Sequence, residues 1–149
     1  MTDRELMQAA IALAREAAAD GEVPVGAVVT RNGEIVSVGR NRREKDKNAL
    51  AHAEIEAIDR ACKALGGWRL WECELFVTLE PCPMCAGAVA LSGLDAVYFG
   101  AYDPRMGCAG SVYDLPGDRT LGACVPCMGG LLEDECLALL RGFFAEKRM

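Results

Sequence analysis

Two short stretches, thirty positions apart, carry the residues best suited to chemistry: His52-Ala53-Glu54 and Pro81-Cys82-Pro83-Met84-Cys85. His52 is the only histidine in the chain. Cys82 and Cys85 stand three positions apart, a spacing at which two thiolates grip one ion. One imidazole and two thiolates suit zinc. A structural zinc is normally closed by four protein ligands, whereas three leave a fourth position for water, the catalytic arrangement. Two thiolates cancel the formal charge of the ion and weaken it as a Lewis acid, so its water benefits from a nearby base. Glu54 fits that task better than the task of fourth ligand. The rival from another class is a non-catalytic zinc module, which needs a closed four-ligand site and has no use for Glu54.

His52 and Glu54 are two residues apart and cannot share one helical face. Both serve one site only if a helix points its N-terminal end at it. A helix is predicted from Ala51 to Ala64, stopped by Gly66-Gly67. The same argument holds for Cys82 and Cys85: Leu75 to Thr78 reads as a strand, and Pro83 to Leu91 as an apolar helix that the prolines help to start. Two helix N-termini then converge on the metal, and their partial positive charge favours thiolate.

Around this centre, Thr2 to Ala19 reads as a helix opened by a Thr2/Glu5 capping box, with Leu6, Ala10, Leu13 and Ala17 at helical spacing. Val25 to Arg31 and Glu34 to Val38 are strands joined by Asn32-Gly33, a two-residue hairpin signal. Arg40 to Asn48 holds five basic and two acidic residues. It is either a solvated loop or a basic lip beside His52. Ala96 to Gly100 is a further strand, and Asp103 follows its end, either as a turn former or as a ligand contact. Gly107 to Gly110 reads as a turn, Ser111 to Leu115 as a short helix, Leu121 to Met128 as a weak strand and Glu133 to Lys147 as an amphipathic helix. The second Cys-x-x-Cys, Cys124-Val125-Pro126-Cys127, has no histidine to join it. Structural thiols are the expectation there, with Cys108 the one loop cysteine that could join them. The pattern implies a single α/β domain over residues 1–149, a three-layer α/β/α sandwich on a central mixed five-stranded sheet.

The motifs together resemble the zinc nucleobase deaminases, whose signature is H-x-E followed by P-C-x-x-C. Thr78-Leu79-Glu80-Pro81-Cys82-Pro83-Met84-Cys85-Ala86-Gly87-Ala88 and Ala51-His52-Ala53-Glu54 are similar to the branch that deaminates adenosine in tRNA. The resemblance runs from Gly21-Glu22-Val23-Pro24-Val25-Gly26-Ala27 to Glu133-Asp134-Glu135-Cys136. It implies a cytidine deaminase-like fold, one Zn²⁺ per chain on His52, Cys82 and Cys85, and Glu54 as proton shuttle. It also implies that Asn41 and the backbone of Ala53 hold the base, that Val25 and Pro24 form one wall, and that Asp103 and Phe144 contact substrate. Adenosine at the wobble position of a tRNA anticodon loop, converted to inosine, is the expected substrate. A free nucleobase or nucleoside, of guanine, cytosine or adenosine type, is the alternative. The resemblance further implies a homodimer packed partly through Met84 to Leu91. Phe143-Phe144 and Lys147-Arg148 match the family's C-terminal helix. Gly122-Ala123 stand where members acting on tRNA often carry an Asn-His pair.

Composition sets bounds on these readings. Apolar residues reach 52% and charged residues 26%, enough for a core and a hydrated surface. No apolar run approaches the ~18 residues of a membrane span. Met1-Thr2-Asp3-Arg4-Glu5 lacks the apolar core of a signal peptide, so a cytoplasmic location is expected, with most of the eight cysteines reduced. A net charge of −6 argues against a broad basic nucleic-acid footprint.

Overall fold

The computed structural model describes residues 1–122 and 124–147. Helix α1 covers Asp3–Ala19 and begins with the expected capping box: Thr2 Oγ1 accepts from the Glu5 N–H, and Glu5 Oε1 accepts from the Thr2 N–H, both at 3.1 Å. Strands β1 (Gly26–Arg31) and β2 (Glu34–Arg40) follow. Asn32 and Gly33 between them both have positive φ, 53° and 75°, as a primed hairpin turn requires. Next come α2 (Arg43–Asp46), α3 (Ala53–Leu65), β3 (Cys73–Leu79), α4 (Pro83–Ser92) and β4 (Ala96–Ala101). A 3₁₀ turn at Arg119–Leu121, the two-residue β5 (Cys127–Met128) and α5 (Glu133–Lys147) complete the chain.

The sheet has five strands in the order β2-β1-β3-β4-β5. β1 is antiparallel to β2 and β3, while β3, β4 and β5 are mutually parallel, so the sheet is mixed as expected. Helices α1 and α5 pack together on one face, and α3 and α4 on the other. β3 is buried on both faces, which explains its unbroken apolar run. Leu75 and Val77 join the core under α3 and α4, whereas Phe76 between them packs with Leu6 and Val28 on the α1 face.

One predicted element is absent and another is shortened. Ser111 to Leu115 forms turns and one isolated bridge, Ala109 to Asp114, in place of a helix. The N–H groups of Ala109 and Ser111 donate to the Glu80 carboxylate, and side-chain acceptors of this kind compete with helical bonding. The last strand shrinks from Leu121–Met128 to Cys127–Met128. Gly122 turns into the left-handed region (φ 73°), and Pro126 has no N–H for the ladder. Ala123 lies outside the described residues. Within the stretch expected as a loop, Arg43–Asp46 makes one helical turn whose Glu44 and Lys45 N–H groups are received by the buried Glu22 carboxylate.

Candidate active site

β2, β3 and β4 run in the same direction, with β1 reversed between the first two. The carboxyl ends of three strands and the start of β1 therefore lie along one sheet edge. Asn41 follows β2, Glu80 to Cys85 follow β3, and Asp103 follows β4. Helix α3 lies directly on β2 because Gly39 leaves room: a Cβ there would collide with the backbone of Ala53.

His52 is the extended N-cap residue of α3, and Cys82 is the extended N-cap residue of α4, with Pro83 at the first helical position. Neither start has a conventional side-chain cap, so both helices direct their N-terminal partial charge at the same point. His52 Nδ1 lies 3.6 Å from Cys82 Sγ and 3.5 Å from Cys85 Sγ. Tetrahedral zinc, with Zn–S near ~2.3 Å and Zn–N near ~2.0 Å, needs about 3.5 Å between sulfur and nitrogen. The three donors form the one group of this kind among the described residues.

Electrostatics support the fit. A hydrogen bond from Cys85, aided by His52, holds the Cys82 thiol down at about 4. The same bond to Cys82, followed by burial and the nearby Glu54, pushes Cys85 up. Its hydrogen bond with Cys82 raises His52. Without a cation the cluster thus favours one thiolate and one thiol. A dication is what allows both sulfurs to carry charge, so the donor set suits zinc. Glu54, in the first turn of α3, is 4% exposed, and burial pushes its carboxyl up to about 7.

His52, Glu54 and Cys82 open into a cleft of about 660 Å³, with Cys85 behind them. Val25, Asn41, Asp103 and Phe144 line it. One expectation needs correction. Pro24 is buried and does not reach the cleft: residues 23 and 25 of the extended segment face it, and the one between them faces away. The Ala53 N–H donates to Asn41 Oδ1 at 2.9 Å. Asn41 Nδ2 in turn donates to Val23 O at 3.1 Å, so Asn41 ties the cleft wall to the start of α3. Asp103 is a turn former and a cleft residue together: its Oδ1 accepts from the N–H groups of Arg105 and Met106.

The basic lip is smaller than the sequence implies. Arg40 pairs with Asp20 and Arg42 with Glu56, each at 2.7 Å, while Arg43 and Arg105 line the cleft. Lys147 sits over the Phe143 ring beside a second, smaller hollow, and Arg148 lies outside the described residues. Cys108, Cys124 and Cys127 take no part in the metal group, in keeping with structural thiols, and all eight cysteines are free. Sequence reasoning missed a role for Glu80, a carboxylate only 2% exposed at the end of β3. Its place directly before Pro81-Cys82 was the available signal, but a glutamate at a strand end looks like surface.

The family described as the cytidine and deoxycytidylate deaminase zinc-binding region matches residues 1–101. The tRNA-specific adenosine deaminase of Bacillus subtilis (strain 168) is 50% identical over 149 residues, covering 99% of this chain and 92% of that protein. A solved structure from work on A-to-I editing by tRNA:A34 deaminases superposes with a TM-score of 0.88 at 38% identity, covering 91% of this chain and 99% of that one. The guanine deaminase of Nitrosomonas europaea superposes with a TM-score of 0.84 at 29% identity, covering 97% and 85%.

Proposed function

The chain belongs to the cytidine and deoxycytidylate deaminase zinc-binding family, and from that premise we propose that it converts adenosine to inosine at the wobble position of tRNA. It is a zinc-dependent hydrolytic deaminase that releases ammonia. The observation that carries the substrate reading is the 50% identity, over nearly the whole chain, to a relative named for tRNA adenosine.

His52, Cys82 and Cys85 would hold the ion. When bound, zinc supplies Lewis acidity that makes water a nucleophile near neutral pH. Glu54 takes one proton of the attacking water on its carboxylate and delivers it to a ring nitrogen. It then takes the proton of the newly added hydroxyl and passes it to the amino group, which leaves as ammonia as the carbonyl forms. Its burial suits it to hold a proton between these steps. Asn41 and Val25 shape the wall against which the base rests, and Phe144, 45% exposed, offers a ring at the rim. Arg43, at the start of α2, and Arg105, on the loop after β4, supply local positive charge. Screening confines each charge to about 10 Å, so an acidic protein can still present a basic mouth. An anticodon loop suits this mouth because its bases are already unpaired, which lowers the cost of extruding one.

The enzyme works in the cytoplasm as a homodimer. No described helix is long and apolar enough to cross a membrane. Met84, Gly87, Ala88 and Leu91 form a stripe on α4 that the fold leaves uncovered in part, and Leu91 is 80% exposed. This stripe supports an interface between two copies.

The second reading is deamination of a free base. The likeness to a guanine deaminase over 97% of the chain and the net charge of −6 favour it. The deciding measurement is kcat/KM on an anticodon stem-loop against adenosine, guanine and cytosine, at two salt concentrations. The expected result is preference for the stem-loop, with activity falling steeply as salt rises. Faster, salt-insensitive turnover of a free base would overturn the tRNA reading and leave the deaminase chemistry standing.

A further inference from the structure

We infer that Glu80 is a positioning residue for substrate: it sets the cleft wall at 102–106 against the metal-binding segment. Glu80 stands two residues before Cys82 and is almost completely buried, yet no step of the chemistry uses it. Its carboxylate receives four donors from one loop. Oε1 accepts from the Asp103 N–H at 2.9 Å and from the Ser111 hydroxyl. Oε2 accepts from the N–H groups of Ala109 at 3.1 Å and Ser111 at 2.9 Å. The next residue adds a backbone tie, with Pro81 O accepting from the Cys108 N–H at 2.8 Å. Gly107 packs so closely that a Cβ there would strike the carboxylate.

The grip passes to the cleft through Asp103. Glu80 holds its N–H, and its own Oδ1 fixes the N–H groups of Arg105 and Met106. Both of those residues line the cleft, yet the segment lies outside regular secondary structure. The Glu80 carboxylate is therefore what keeps this wall at a fixed height over the ligands. A buried acceptor with several donors is costly to disturb, because each abandoned N–H loses its partner away from water.

Glu80→Gln tests this selectively. The amide oxygen can occupy the Oε2 position, facing Ala109 and Ser111. The amide NH₂ then meets the Asp103 N–H, donor against donor, while the Ser111 hydroxyl can turn to accept. Only the Asp103 end is released. The inference rests on the cleft being the substrate site, so three readouts are needed: zinc content, amide hydrogen exchange, and kcat and KM on the anticodon stem-loop. The expected result is one zinc per chain and faster exchange at Asp103, Arg105 and Met106, with Ala109 and Ser111 still protected. KM should rise about tenfold, as for loss of one charge-assisted contact, with kcat within about twofold. Unchanged exchange at 103–106 would overturn the inference. So would a loosened wall with unchanged KM, or loss of zinc with kcat. If wild-type protein ignores the stem-loop and turns over a free base, the tRNA reading fails by itself, and the KM arm is read on that base. Should Glu80→Gln not fold, Gly107→Ala presses a Cβ on the same carboxylate and carries the same expectations.

Discussion

Helices α3 and α4 do the same job at one end and different jobs along their length. Each begins at a metal ligand in the N-cap position, and each turns its first N–H groups toward the site. Past the first turn they diverge. The outer surface of α3 carries Glu56, Asp59, Arg60 and Lys63, with Glu56–Arg60 and Asp59–Lys63 ion pairs at 3.2 and 2.9 Å. α4 carries no charge from Pro83 to Ser92, and its uncovered stripe is apolar. Metal chemistry fixes the first turn of a helix, while the outer face records what will cover the rest. For α3 that is water, and for α4 it is the proposed second copy.

The largest effects belong to the shared end. Glu54→Gln keeps the shape of the side chain but removes the proton carrier, so kcat is expected to fall about 10²–10⁴-fold with zinc retained. Cys82→Ala and Cys85→Ala should lose zinc as well as activity. Glu56, two residues beyond Glu54, makes the contrast. It receives Arg42 Nε at 2.7 Å and the Arg40 N–H at 3.4 Å, outside the cleft. Glu56→Gln should leave kcat within about tenfold of wild type and keep zinc. Metal analysis and steady-state kinetics on the four variants check this. Wild-type turnover in Glu54→Gln, or full zinc occupancy in both cysteine variants, would break the assignment.

The next effect separates the two outer faces. Leu91→Glu on α4 places a charge on the stripe, whereas Lys63→Glu on α3 changes a solvated face. Burying a leucine contributes about 1.5–3 kcal/mol, so Leu91→Glu should weaken dimerisation by about tenfold to a hundredfold. Lys63→Glu should leave it unchanged. Light scattering or sedimentation across a dilution series reads both. A wild-type monomer at micromolar concentration would refute the dimer itself.

How much of this was legible in the sequence follows the range of the interactions. His52, Cys82 and Cys85, their helix starts and the Thr2/Glu5 box rest on contacts within a few residues, and the sequence displays them. The Asn32-Gly33 turn is equally local. Ser111–Leu115 failed as a helix because the Ser111 N–H and hydroxyl go to Glu80, from a distant part of the chain, and the Val112, Tyr113 and Leu115 N–H groups go to the carbonyls of Gly107 and Cys108. Pro24 was misjudged for a related reason. Alternation decides which residues of 23–25 face the cleft. The basic lip was overestimated because Asp20 and Glu56, which neutralise Arg40 and Arg42, come from other elements.

The smallest expected effect tests whether the outer face of α3 is only solvated. Asp59 and Lys63 lie four residues apart with the acid toward the N-terminus, the favourable order, and their side chains are 57% and 76% exposed. Water screens such a pair, and holding two long side chains together costs entropy. Lys63→Ala should therefore lower stability by only about 0.3–0.5 kcal/mol, and added salt should shrink the difference further. Denaturant unfolding of both proteins at low and high salt measures it. A loss well above 1 kcal/mol that persists in salt would mean that Lys63 contacts something other than water. The two helices would then differ less than their surfaces imply, and the partner-facing role assigned to α4 would lose its control.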